Sequence, residues 1–398
     1  MLVTPKSDIA DTITLDFPDV KLHHDWQRSS LPWDAFREKG VPFDEHISTL
    51  DPDLLKALSP SVQAVSPNAS AESMRIHHAA ASAFLYVLLS LADSSIPACT
   101  YTLRSTIPIA SGLGSSASIS VCLGAAVLAQ AGHINIDNVS SGSREARDLV
   151  NSWAFVGELN IHGNPSGIDN TVSTLGKAVL FKRREAPQRP SITPLPDFPT
   201  LPLLLVDTKQ PRSTAVEVAK VGKLKESHPE IADSILDSIG KISGSLMTLI
   251  DSTIFDAARP ESISKVGELI RLNHGLLYTL GVSHPRLERV KELIDQKDLG
   301  WSKLTGGGGG GCAFAVLNKT ASHEQLEEVE RTLQREGFAR YETLLGGKGV
   351  GFLNLTKEET KASQITQETI KSAEDPSAVE AHVGISAGHL ADHWQFFD

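Results

Sequence analysis

Two carboxylates, Glu158 and Asp169, lie in the segment GELNIHGNPSGIDN at 157–170 and carry the spacing that suits phosphoryl transfer to an alcohol. That reaction needs a cation to neutralise the phosphates, a carboxylate to take or orient the hydroxyl proton, and close positioning. Helical spacing over 145–160 puts Glu158 on a helix, and Gly163, Pro165 and Gly167 end that helix in a loop carrying Asp169. One carboxylate can then face a metal and the other an alcohol. Each also has a plainer reading: a solvated helix face for Glu158, and a cap on the next element for Asp169, since Ile-Asp-Asn suits a turn. His162, just before a glycine, is expected to be a structural hydrogen bonder rather than the base.

A second feature is PIASGLGSSAS at 108–118, placed after a strand and opening a helix. Glycines let the backbone curl tightly and approach a ligand. Successive N–H groups at the helix start then point at an anion, and the helix dipole adds partial positive charge. Ser115 and Ser116 add hydroxyls for phosphate or metal-bound water. The loop is neither a Walker loop, since GxxxxGK[ST] is absent, nor a dinucleotide fingerprint, since the third glycine is missing. A tight structural turn with a serine cap remains the alternative. Third, KLTGGGGGGC at 303–312 sets six glycines before an apolar strand. So flexible a run is entropically costly, which makes sense where backbone must closely meet a ligand or another loop.

These motifs need a scaffold. A chain of 398 residues suits two domains. Alternation over 10–20 predicts a strand, 71–93 a helix buried on most sides, 100–107 a strand and 117–130 a helix. A short strand follows at 178–182, and the proline-rich stretch 183–200 reads as a linker. Residues 201–208 read as a buried strand, 214–299 as mainly helical, 312–317 as a strand, 323–336 as a helix and 339–353 as strand pairs. The polar stretch after 356 reads as a loosely held tail. The expected division is 1–200, 201–356 and a tail at 357–398.

Net charge of −11 argues against nucleic acid or an anionic membrane as the main partner. Cys99, Cys122 and Cys312 form no CxxC, so zinc and redox motifs have no support. With no signal-peptide pattern and few cysteines, the expected location is cytoplasmic.

Together, GLGSSAS, GELNIHGNPSGIDN and TGGGGGGC resemble the galactokinase, homoserine kinase, mevalonate kinase and phosphomevalonate kinase superfamily. GELNIHGNPSGIDN, with DTKQPRST at 207–214 and LNHGLLYTLGVSHPRLE at 272–288, resembles the mevalonate kinases in particular, over about residues 10–355. The resemblance implies an α/β (α+β) fold: a ribosomal-S5-like amino-terminal domain, a ferredoxin-like carboxyl-terminal domain and an active site between them. It implies Mg2+ and ATP, with Ser116 and Glu158 on the metal and Asp169 as catalytic base toward the mevalonate hydroxyl. Ala110, Ser111, Gly112, Leu113, Gly114, Ser115 and Ser116 would wrap the ATP phosphates. Ser105 and Asp19 would also lie at the nucleotide, and Arg212 and Thr214 at the mevalonate carboxylate. An arginine suits a carboxylate because it bonds it twice. A homodimer is compatible with the resemblance.

One departure matters. The family opens with a PGKxxLxGEH-like motif whose lysine contacts the aspartate and the transferred phosphate, and no such motif is found here; Lys6, in VTPKSD, is not assigned that role. The expectation is weak or no activity for the chain as written, rescued by an upstream segment, because losing such a charge stabiliser costs on the order of a hundredfold in rate. The competing readings are another small-molecule kinase of the superfamily, a catalytically silent nucleotide-binding relative, and accidental glycine turns.

Overall fold

The computed structural model describes every residue except 8, 9, 42–46, 108–112, 140–143, 183, 185–189, 356–364, 386–389 and 398. The chain divides into two compact units, one gathering Met1–Ile109, Gly114–Pro194 and Lys348–Asp398, the other containing Leu195–Gly347.

The first unit opens with β1 (Leu2–Pro5), β2 (Thr12–Phe17) and β3 (Leu22–Gln27). Helices α1 (Trp33–Lys39), α2 (Pro52–Gln63) and α3 (Ala71–Leu91) lead to β4 (Cys99–Thr102). The sheet order is β1-β4-β2-β3, with β2 and β4 parallel and the other pairs antiparallel. A parallel pair needs a long crossover, and the three helices supply it. Alternation in β2 turns Ile13, Leu15 and Phe17 into the core, where Phe84, Leu85, Val87 and Leu88 of α3 are wholly buried. Each such side chain contributes about 1.5–3 kcal/mol. Phe84 stacks tilted or edge-on against Trp26 and Tyr101 at 5.9 and 4.9 Å. The apolar length of α3 thus serves a core.

β1 and β3 were not expected from the sequence. In β3 only Leu22 and Trp26 are buried, while His23, Asp25 and Gln27 are exposed, so LHHDWQ has no apolar run to read. The strand expected over 10–20 stops at Phe17, where Pro18–Val20 form a 3-10 turn.

Helices α4 (Ser115–Gln130), α5 (Arg144–His162) and α6 (Ile168–Leu175) carry the chemistry, and β5 (Ala178–Lys182) pairs with β6 (Ser191–Leu195). The stretch 183–200 is therefore not wholly a linker: it contains a strand, and the division between units falls after Pro194.

The second unit starts with β7 (Leu201–Asp207), followed by α7 (Thr214–Ser227), α8 (Pro229–Ile250), α9 (Pro260–Thr279) and α10 (Pro285–Gln296). Then come β8 (Gly300–Leu304), β9 (Cys312–Leu317), α11 (His323–Arg335) and β10 (Ala339–Leu345). Its antiparallel sheet has the order β10-β7-β9-β8. Period-two alternation serves both faces. Leu204, Val206, Ala313 and Ala315 pack with Leu287, Val290, Ile294, Val329 and Leu333, while Leu201, Leu203 and Val316 pack with Ile263, Val266 and Ile270.

The chain then returns to the first unit through β11 (Gly351–Phe352), α12 (Gln367–Ser372), α13 (Pro376–Val383) and β12 (Gln395–Phe396), which pairs with β11. The described part of this segment is packed rather than loosely held. Ile365, Ile370 and Leu390 form a small core. Arg104 donates to the carbonyls of Ile370, Lys371 and Ala373 at 2.7, 3.1 and 2.9 Å, and Lys371 pairs with buried Asp16. Sparse anchors in a polar background leave little compositional trace.

Candidate active site

The site is made by helix contacts within the first unit. Helix α5 runs against α4 so closely that a Cβ on Gly157 would lie 2.7 Å from Ser120 Oγ, and one on Gly124 would lie 3.5 Å from the Ala154 nitrogen. The two helices are antiparallel, so one turn before Ser120 the face of α4 meets the face of α5 just after Gly157. Ser116 there lies beside Glu158, and its Oγ lies 3.0 Å from His162 Nε2. Glycine at 157 is what permits this approach.

Helix α6 completes the group. Gly167 at its cap has φ 81°, and Asp169 falls in its first turn. The expected loop at Asp169 is therefore a helix start, where the dipole favours a carboxylate. Ser118 Oγ is 3.2 Å from Ser173 Oγ, and a Cβ on Gly114 would lie 3.4 Å from Asp169 Cβ. Asn151 ties α5 to α6: Asn170 Nδ2 donates to its Oδ1 at 2.7 Å, and its own Nδ2 donates to Thr171 Oγ1 at 3.2 Å.

The electrostatics are unequal. Glu158 is buried, and Oε1 has no hydrogen-bond partner. Burial raises its pKa most; the Ser116 hydroxyl and nearby His162 pull it down, and the Asp169 charge pushes it up again. Asp169 and His162 are exposed. An under-bonded carboxylate oxygen beside a hydroxyl and a second carboxylate is a donor set suited to a hard divalent cation.

Of the remaining phosphate-loop residues, Leu113 and Gly114 are half-buried and Ser115 is buried, with Gly114 capping α4 at φ 76°. Ala110, Ser111 and Gly112 lie outside the described residues. Asp19 and Ser105 are brought to each other: the Asp19 carboxylate accepts the Ser105 N–H at 2.7 Å and Arg104 Nε at 2.8 Å.

Arg212 and Thr214 belong to the second unit, against the glycine run. Arg212 Nη1 donates to the Thr305 carbonyl at 3.1 Å. A Cβ on Gly306 would lie 2.6 Å from Arg212 Nη1, and one on Gly307 would lie 3.3 Å from Thr214 Cγ2. The run also closes on backbone: Gly309 N–H donates to Val282 O at 2.7 Å and Gly311 N–H to Gln210 O at 2.9 Å. The close approach expected of the glycines is thus made to neighbouring loops.

Sequence reasoning set His162 aside, although its position four residues after Glu158 puts both on one helix face. That spacing was the available signal. Ser118, Asn151 and Asn170 left none, because their partners lie on separate helices.

Comparison with known proteins identifies the family. Residues 78–177 match the family described as GHMP kinases N terminal domain, and residues 254–339 match GHMP kinases C terminal. The chain is 49% identical over 395 residues to mevalonate kinase ERG12 of Gibberella zeae, covering 96% of this chain and 78% of that protein. It is 46% identical to mevalonate kinase erg12 of Aspergillus fumigatus, covering 100% and 76%. The fold is similar to that of the Methanococcus jannaschii mevalonate kinase, with TM-score 0.58 at 20% identity over 87% of each chain. It is also similar to the L. major mevalonate kinase in complex with R-mevalonate, with TM-score 0.53 at 25% identity over 68% of this chain and 78% of that one. With relatives this similar along nearly its whole length, and with the expected serine and carboxylates drawn together, the chain belongs to the mevalonate kinase family of GHMP kinases.

Proposed function

We propose that the chain catalyses ATP-dependent phosphorylation of (R)-mevalonate to 5-phosphomevalonate, with Asp169 as the base and Ser116 and Glu158 as ligands of Mg2+. The observation that carries this is the meeting of Ser116, Glu158 and Asp169 at the starts of α4 and α6 and the end of α5. The orphaned Oε1 of Glu158 fits a cation. When bound, the metal would neutralise phosphate charge as a Lewis acid.

The protein's own groups supply the rest. The start of α4 presents N–H groups and a positive dipole end to an anion. Asp169, exposed and at a helix start, can take a proton from an alcohol placed before it. Gly114 keeps a side chain from crowding that carboxylate. A cytosolic location is supported by the absence of disulfides among the three cysteines.

The test is a substrate panel with Mg-ATP: mevalonate, phosphomevalonate, galactose and homoserine, followed by product mass. Transfer to mevalonate is expected, slowed because no PGKxxLxGEH-like lysine motif stands in the sequence, and Asp169→Asn should lower kcat further by about 10²–10⁴-fold. Transfer to galactose but not mevalonate would overturn the substrate. Full turnover by Asp169→Asn would overturn the base. Nucleotide binding with no transfer would instead favour a silent relative.

A further inference from the structure

We propose that His162 is a positioning residue that accepts the hydrogen bond of the Ser116 hydroxyl and so turns the serine lone pairs toward a cation. This rests on the reading of Ser116 and Glu158 as the cation pair. The geometry comes first. His162 ends α5, one turn beyond Glu158, and its Nε2 lies 3.0 Å from Ser116 Oγ. Ser116 therefore bonds to His162 and lies beside Glu158, two residues on one face of a single helix.

A serine hydroxyl has one proton and two lone pairs. When the Ser116 proton points at His162 Nε2, 3.0 Å away, both serine lone pairs are left for a cation. An imidazole with its proton on Nδ1 accepts at Nε2. Glu158 needs no hydrogen from the serine in this arrangement, and its unpartnered Oε1 stays available. Only a hydrogen bond is involved: the serine keeps its proton and net charge does not change. Side chains that orient metal ligands in this way typically change affinity or activity by about 10–100-fold when removed.

The experiment titrates Mn2+ into the full chain with a saturating non-hydrolysable ATP analogue, reading free Mn2+ by electron paramagnetic resonance. The proteins are the wild type, His162→Ala, His162→Gln, Ser116→Ala and the double alanine variant, each checked by thermal melt. His162→Ala should weaken Mn2+ binding by about 10-fold or more. His162→Gln, whose amide can also donate or accept, should recover most of it. Adding His162→Ala to Ser116→Ala should cost nothing further, because the histidine acts only through the serine. In turnover, kcat at limiting Mg2+ should fall while KM for mevalonate holds.

Unchanged Mn2+ binding by His162→Ala, with Ser116→Ala impaired, would overturn the role of His162 and leave the cation site standing. An equal loss in both serine backgrounds would also overturn it, in favour of a general structural effect. Normal Mn2+ binding by Ser116→Ala would overturn the cation-site reading, and this inference with it.

Discussion

Glycine serves opposite ends in the two units. In the first, a Cβ on Gly114 would sit at ordinary van der Waals distance, 3.4 Å, from Asp169, so the glycine leaves the carboxylate approachable. In the second, a Cβ on Gly308 would lie 2.0 Å from the Val282 carbonyl oxygen, and one on Gly310 would lie 2.7 Å from that of Gln210. There the glycines seal loop to loop. The buried charges differ likewise. Glu158 is surrounded by Ser116, His162 and Asp169, groups that can share a ligand. Lys303 is half-buried over the Phe314 ring at 5.4 Å and donates to the Leu304 carbonyl. A glycine-rich string therefore does not by itself mark a ligand cradle; what its Cβ positions would strike decides.

The largest effect expected from this contrast is at Gly308. Its φ of 80° is strained for any side chain, and the obstruction is backbone, which cannot swing away. Gly308→Ala should destabilise the second unit by on the order of 4 kcal/mol. Gly114→Ala carries only the left-handed strain and should cost about 1–2 kcal/mol. Gly307→Ala, where the contact is a threonine methyl at 3.3 Å, should cost under about 1 kcal/mol. Urea midpoints of the three variants rank them. Equal losses at 307 and 308 would break the distinction between sealed and open glycines.

The charge contrast gives the next effect. Burial pushes the Lys303 ammonium down to about 8. Its folded value lies below the ordinary 10.5, so the unfolded chain binds the proton more readily. The penalty is fully present at neutral pH and fades as pH rises through 8 toward 10.5. Lys303→Met should stabilise the second unit at pH 7 by about 1–3 kcal/mol, and by less at pH 10. Chemical denaturation at the two pH values checks this. A gain that does not shrink with pH would mean repacking rather than relief of a buried charge.

Much of this was legible in the sequence, for definite reasons. Helices α3 and α4 and strands β7 and β9 are apolar enough to declare themselves. The pairing of Glu158 with Asp169 was readable because the turn glycines at 163 and 167 lie between them, both at positive φ. The closeness of Ser116 to Glu158 came from the family resemblance alone, since it depends on Gly157 meeting Ser120 across two helices and nothing local marks it. Strands β1 and β3 escaped because they are short or half polar, and the anchoring of the last segment escaped because Arg104 grips carbonyls, which carry no sequence signal. Arg212 was picked out for its chemistry. The structure adds that its side chain packs along Gly306 and Gly311.

The smallest expected effect concerns how the sealed loop is held from behind. His274 is buried; its Nε2 lies 3.0 Å from Glu288 Oε1, and its Nδ1 accepts the Leu304 N–H at 3.3 Å. Glu288 in turn accepts from Ser283, next to Val282, whose carbonyl receives the Gly309 N–H. The imidazole is thus neutral, donating at one nitrogen and accepting at the other. Burial is the main cause that lowers its pKa from the ordinary 6.5, with Glu288 opposing. Because the folded value is the lower one, the unfolded chain takes up the proton first as pH falls. The contribution is whole above pH 6.5 and drains away as pH drops through the folded value. The denaturation midpoint of the second unit should therefore fall between pH 7 and pH 5, by at most on the order of 1 kcal/mol per pH unit. His274→Gln, which keeps a donor for Glu288 but does not titrate, should flatten that slope. If the slope survives the substitution, the buried pairing behind the glycine loop is not what makes it acid-sensitive, and the loop must be held by its own backbone bonds alone.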